Sequence, residues 1–244
     1  ATHDIRPAIL MVGGLFDAED LYGTWNIYRA IRQNNPQTDC RIVVGPWTHG
    51  AWRSNGDANA VGHIRFSEES LSQFYRRQVE FPFFDHYLRD AEHSGATTTG
   101  ALIFFSGENC WREMEGWDPE NQSRPHTLYL AEGGSLTTAP SDISEAYSFY
   151  ISDPNDPVPY YPDMPWPRRK EYMTVGQEFL DGRHDVLTFL SPRLENDMAV
   201  IGPIDVTLHA AISTTDADFV VKIIDVGPDG EYEMMVRGDI MRGR

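Results

Sequence analysis

Two residues able to move a proton stand at matching places in the chain, 32 positions apart. Asp17 lies in Gly13-Gly-Leu-Phe-Asp17-Ala-Glu19-Asp20, and His49 lies in Gly45-Pro-Trp47-Thr-His49-Gly50. A carboxylate bonded to one ring nitrogen of a histidine fixes its tautomer. The other nitrogen can then take a proton from a nucleophile and pass it to a leaving group. In α/β-hydrolases the acid precedes the histidine along the chain, as here. The serine that would complete such a set is missing. No Gly-x-Ser-x-Gly turn occurs in the 244 residues, and Ser54, Ser106 and Ser135 stand in other contexts. A purely structural role for two polar loop residues is the competing reading.

The elements around them follow from local pattern. Ala8 to Val12 and Arg41 to Val44 are short apolar runs closed by Gly or Pro, which predicts two buried parallel strands. Asp17 and His49 would then emerge just past the carboxyl ends of these strands, where open α/β sheets bind ligands. Between them, Leu21, Trp25, Tyr28, Ala30 and Ile31 form a helical stripe, ended by Asn34-Asn35-Pro36. A second helix is predicted from about Ser67 to Arg89, with Pro82 kinking or interrupting it.

Beyond about Ala96 the pattern changes to short β-type runs: Ala101 to Phe105, His126 to Leu130, Ala146 to Ile151, Asp185 to Leu190, Met198 to Ala211, Phe219 to Val226 and Glu231 to Val236. Their spacing predicts a β-sandwich or jelly roll. Pro228-Asp-Gly230 between the last two runs predicts a hairpin turn. The proline-dense stretch Asp153 to Pro167 predicts an extended loop, packing against a site or linking domains. The expected class is α/β plus all-β: residues 1–95 as the C-terminal part of an α/β-hydrolase sheet with its helices, then residues 96–244 as a β-sandwich, unfinished at its C-terminus.

Composition narrows the chemistry. A hydrophobic content of 41% supports a real core, and the net charge of −17 argues against nucleic acid as a partner, because phosphate backbones require a basic face. No apolar run is long enough to cross a bilayer, and the N-terminus has neither a signal peptide nor an initiator Met, so an internal start is expected. The two cysteines, Cys40 and Cys110, make no metal motif, and could pair only if their strands meet. Asp216, Asp218 and Asp225 lack the spacing of a calcium loop, and His86 and His93 lack a third ligand nearby in sequence. No cofactor or metal is expected. Trp47 and Trp52 flank His49 and either wall an acyl pocket or simply pack.

Gly14-Leu-Phe-Asp17-Ala-Glu19-Asp20 together with Gly45-Pro-Trp47-Thr-His49-Gly50 resembles the acid and base segments of the cocaine esterase and α-amino acid ester hydrolase family, S15-type and X-Pro dipeptidyl-peptidase-like, including its glutaryl-7-aminocephalosporanic acid acylase-like members. Asp216-x-Asp218-Phe219 through Asp225-Val226 resembles a strand pair of the same family's C-terminal jelly roll, and the Ser-Asp-Pro-x-x-Pro-Val-Pro core of Tyr150 to Pro159 is similar to the loop entering that domain.

That resemblance implies that Asp17 is the triad acid and His49 the base, with Glu19 and Asp20 at the positions of two carboxylates that hold a substrate ammonium. Glu19 and Asp20 are equally well placed to cap the helix that follows, and the two roles are compatible. The family's nucleophile elbow, oxyanion donors and helical cap are not in this chain. The expectation is therefore a C-terminal part of a serine hydrolase that cleaves small esters or amides, inactive without the N-terminal part of the same protein. Resemblance further implies a periplasmic or secreted location, and homo-oligomerisation stays open. The rival reading is a non-catalytic β-sandwich module for binding or assembly.

Overall fold

The computed structural model describes residues 4–89, 100–143, 146–162, 169–230 and 232–243. These fall into two compact units, residues 1–117 with 166–175, and residues 118–165 with 176–244. His93, and the end of the proline-dense stretch from residue 163, lie outside the described residues.

The first unit is built on a four-stranded sheet. β1 (Ile9–Gly14) and β2 (Cys40–Gly45) run parallel, with Ile9 opposite Cys40 and Gly14 opposite Gly45. α1 (Leu21–Asn34) makes the crossover between them and packs Tyr28 and Ile31 on the sheet. β3 (Ala60–Val61) and β4 (Ile64–Arg65) form a small separate ladder. β5 (Ala101–Phe105) joins β2 in parallel, and β6 (Cys110–Met114) returns antiparallel along β5, which gives the order β1-β2-β5-β6.

Every residue of β2 is buried, as the apolar run Ile42 to Val44 requires of a strand covered on both faces, and Arg41 is buried paired to Asp39. Tyr28, Ile31, Cys40, Ile42, Val44, Ala101 and Ile103 form the core. Two strand spacings separate Cys40 from Cys110 in this order, and neither is in a disulfide. Burial among these apolar neighbours pushes the Cys40 thiol up to about 11.

The predicted second helix has three parts. α2 (Leu71–Phe74) is capped by the Ser70 hydroxyl, which accepts from the Gln73 N–H, and passes into a π-helical stretch, Tyr75–Glu80, followed by α3 (Phe81–Arg89). The wider turn falls directly before Pro82. Proline has no N–H to donate, and its ring would press on the carbonyl four residues back in a regular α-helix. The Phe81 N–H bonds to the Arg76 carbonyl instead, and the helix continues past the proline without ending.

In the second unit, α4 (Pro119–Gln122) precedes two hairpins. β7 (Tyr129–Ala131) pairs β8 (Ser135–Thr137), and β9 (Ala217–Val226) pairs β10 (Glu233–Gly243). Gly230 turns the second hairpin at φ +75°, the conformation expected of Pro228-Asp-Gly230, and β10 runs seven residues past the predicted Val236 end, to Gly243. Of the other predicted strands, Asp185 to Leu190 makes one bridge, Leu190 to Ser135, while 146–151 and 198–211 form no ladder among the described residues. The overall class is mixed α/β, with two-stranded ladders in the second unit.

Candidate active site

The acid loop follows β1 and the histidine loop follows β2, so the pairing of these two strands fixes where both loops start. The ladder continues past the strand ends: the Leu15 N–H donates to the Gly45 carbonyl at 2.8 Å, and the Phe16 N–H to the Trp47 carbonyl at 3.0 Å. Asp17 comes next, nearly sealed from solvent at 3% exposure. Such a carboxylate must find donors. Its Oδ1 accepts the backbone N–H of Glu19 at 2.7 Å and of Asp20 at 3.1 Å.

The remaining oxygen of Asp17 faces His49. His49 Nδ1 lies 2.9 Å from Asp17 Oδ2 and 3.2 Å from Oδ1. A carboxylate only accepts, so Nδ1 carries a proton, and Nε2 is the nitrogen whose lone pair is free to act when the ring is neutral. The His49 side chain is 48% exposed although its partner is buried. Gly50, at φ +69°, turns the chain immediately after the histidine into a short helical turn, Ala51–Arg53. Among the described residues, His49 makes its hydrogen bonds to Asp17, and no serine hydroxyl reaches it.

Glu19 and Asp20 sit on the rim of the same loop. A Glu19 carboxylate oxygen stands 3.9 Å from His49 Nε2, with the Glu19 side chain 53% exposed. Asp20 occupies the position before α1, but its side chain makes no capping bond there. Asp17 therefore bonds the N–H groups of this loop, and Glu19 and Asp20 are both exposed on it. Trp47 is 1% exposed, with its ring packed against Trp52, Tyr75 and Trp111. Its indole faces the interior beneath the histidine loop, an orientation that sequence alone did not fix.

This arrangement coincides with likeness to known proteins. Residues 1–51, which include both loops, match the X-Pro dipeptidyl-peptidase (S15 family). Residues 86–242, more than half of the chain, match the X-Pro dipeptidyl-peptidase C-terminal non-catalytic domain. The chain belongs to the S15 X-Pro dipeptidyl-peptidase family. The resemblance read from the acid and histidine segments is thereby borne out.

A cocaine esterase of Rhodococcus sp. (strain MB1 Bresler) is 28% identical to this S15 chain over 213 residues, which cover 82% of the chain and 35% of the esterase. The crystal structure of an aminopeptidase from a marine sediment archaeon, Thaumarchaeota archaeon, superimposes with a TM-score of 0.81 at 31% identity, covering 99% of this chain and 41% of that one. The chain thus spans well under half the length of these relatives.

Proposed function

We propose that this S15 chain supplies the acid and the base of a serine hydrolase, with the nucleophile and oxyanion donors contributed by a preceding part of the same protein. The observation that carries this reading is the 2.9 Å bond from His49 Nδ1 to a buried Asp17 that two backbone N–H groups also hold. In that role Asp17 sets the tautomer of His49. The exposed Nε2 accepts the proton of the serine as it attacks an ester or amide carbonyl, then returns it to the leaving group. The residues of the second unit would belong to a jelly roll, and Trp47 would border the acyl site through its backbone loop.

The substrate class that fits is a small ester or amide with an α-amino group on its acyl side. Glu19, 3.9 Å from His49 Nε2, would stand beside the scissile carbonyl, and with Asp20 it would attract and orient an ammonium there.

The purified chain is expected to show no turnover of an aryl ester. Joined to its preceding segment, it should turn over, and Asp17→Asn should lower kcat by about 10⁴-fold, the scale for losing the orienting carboxylate. Serine-dependent turnover by the chain alone would overturn the proposal, as would an unchanged kcat in the Asp17 variant. In the joined enzyme, Glu19→Ala should erase the preference for ammonium-bearing over neutral acyl esters. An unchanged preference would remove Glu19 from substrate recognition.

A further inference from the structure

We infer that Trp47 is a positioning residue that holds the histidine loop against the acid loop, so that His49 meets Asp17 only while the Trp47 ring stays seated. The inference rests on the acid-and-base reading of that pair for its catalytic meaning, and on Trp47 geometry for its substance. The Trp47 carbonyl accepts the N–H of Phe16, the residue directly before the acid, while its side chain lies two positions before the base. One residue therefore touches both loops.

The contacts leave little slack. A Cβ on Gly14 would fall inside the Trp47 carbonyl, and a Cβ on Gly45 would stand 2.6 Å from the indole. The two glycines that open the two motifs are the space into which Trp47 fits, its carbonyl against one and its ring against the other. The far side of the ring meets Trp111 of β6 at 5.6 Å and, edge-on, Tyr75 of the π-helical stretch at 5.8 Å.

Trp47 Nε1 has no hydrogen-bond partner among the described residues. A buried donor left unpaired is costly, so what suits tryptophan to this position is the size and shape of its ring. Removing part of that ring opens space beneath the loop, and a loop held by two backbone bonds can relax into it.

The test is proton NMR on the 244-residue chain, following the downfield Nδ1 proton of His49, assigned by its disappearance in His49→Gln and Asp17→Ala. Gly14→Ala and Trp47→Phe should each lose this resonance while circular dichroism reports a folded chain. Trp25→Phe, which disturbs the Trp25–Trp117 ring pair of the same unit, outside the contacts of Trp47 given above, should keep it. If Gly14→Ala does not fold, Trp47→Phe decides alone. Retention of the resonance in folded Trp47→Phe overturns the inference, and so does its equal loss in Trp25→Phe. No resonance in the unsubstituted chain would overturn both the pairing and the inference. A resonance that behaves as expected, alongside an inactive joined enzyme, would sink only the proposed function.

Discussion

β2 and the segment 198–212 carry the same kinds of residue and meet opposite fates. Ile42, in β2, is 0% exposed between β1 and β5. Ile204 belongs to an alternating series with Met198, Val200, Val206, Leu208 and Ile212, all exposed, and is itself 42% exposed. Side-chain type makes both segments read as strands, but only a flanking strand on each side makes one of them a core. The lesson is that β-branched alternation specifies a face, while burial is conferred by partners.

Truncating both isoleucines puts the comparison at risk. Ile42→Ala should cost about 2–5 kcal/mol, the usual range for emptying a sealed core site. Ile204→Ala should stay within about 0.5 kcal/mol, as surface changes do. Urea unfolding of the two variants would measure both. Equal losses would mean that the 198–212 face is buried in solution and that the two segments do not differ.

The same contrast explains what could be read from the sequence. The acid and histidine loops were legible because each follows a short apolar strand, half-buried at the sheet edge in β1 and fully buried in β2, and the crossover helix between them shows a plain apolar stripe. The last hairpin was legible because Pro228-Asp-Gly230 dictates its own backbone. The runs at 146–151 and 198–211 read as strands because pattern records alternation and says nothing of which strand lies alongside. The orientation of Trp47 was hidden for a related reason. A residue two places past a strand end can point to solvent or fold back, and the residue types decide nothing between the two; the space Trp47 fills beside Gly14 and Gly45 shows only in the structure. The π-helical stretch was signalled by Pro82, but a kink and a widened turn answer that signal equally well.

The second unit holds its proline-rich stretch with cations. Arg183 donates to the Asp156 carbonyl at 2.9 Å and grips the buried Asp185 carboxylate through two bonds of 2.8 Å. Those bonds hold Asp185 below the usual carboxylate range. A carboxyl group whose folded form resists protonation adds stability above the ordinary range, and that contribution is lost as pH falls through its folded value. In Arg183→Met the buried carboxylate loses its partner, so the variant should be markedly weaker than the parent near neutral pH and the gap should close in acid. Thermal melts across the acid range would show this, and a gap that stays constant would mean the pair contributes nothing specific.

A smaller, pH-dependent effect is expected from Lys222, a partly buried cation that bonds neutral oxygens. Its ammonium donates to Gln177 Oε1 at 2.8 Å and to the Tyr160 carbonyl at 3.3 Å, between the rings of Tyr160 and Phe179. Burial lowers it to about 8 from the ordinary 10.5. Between these values the unfolded chain holds the proton and the folded chain has released it, so stability rises with pH. Below about 8 both states are charged and the cost of burying the ammonium is present in full. Lys222→Met removes the titration. The stability of the parent relative to this variant should therefore climb as pH goes from 8 toward 10.5 and stay flat from 6 to 8. The slope will be modest because the side chain is only partly buried and solvent screens it. A flat difference across the whole range would mean that Lys222 is solvated like a surface lysine and is not enclosed by its unit the way Ile42 is enclosed between β1 and β5.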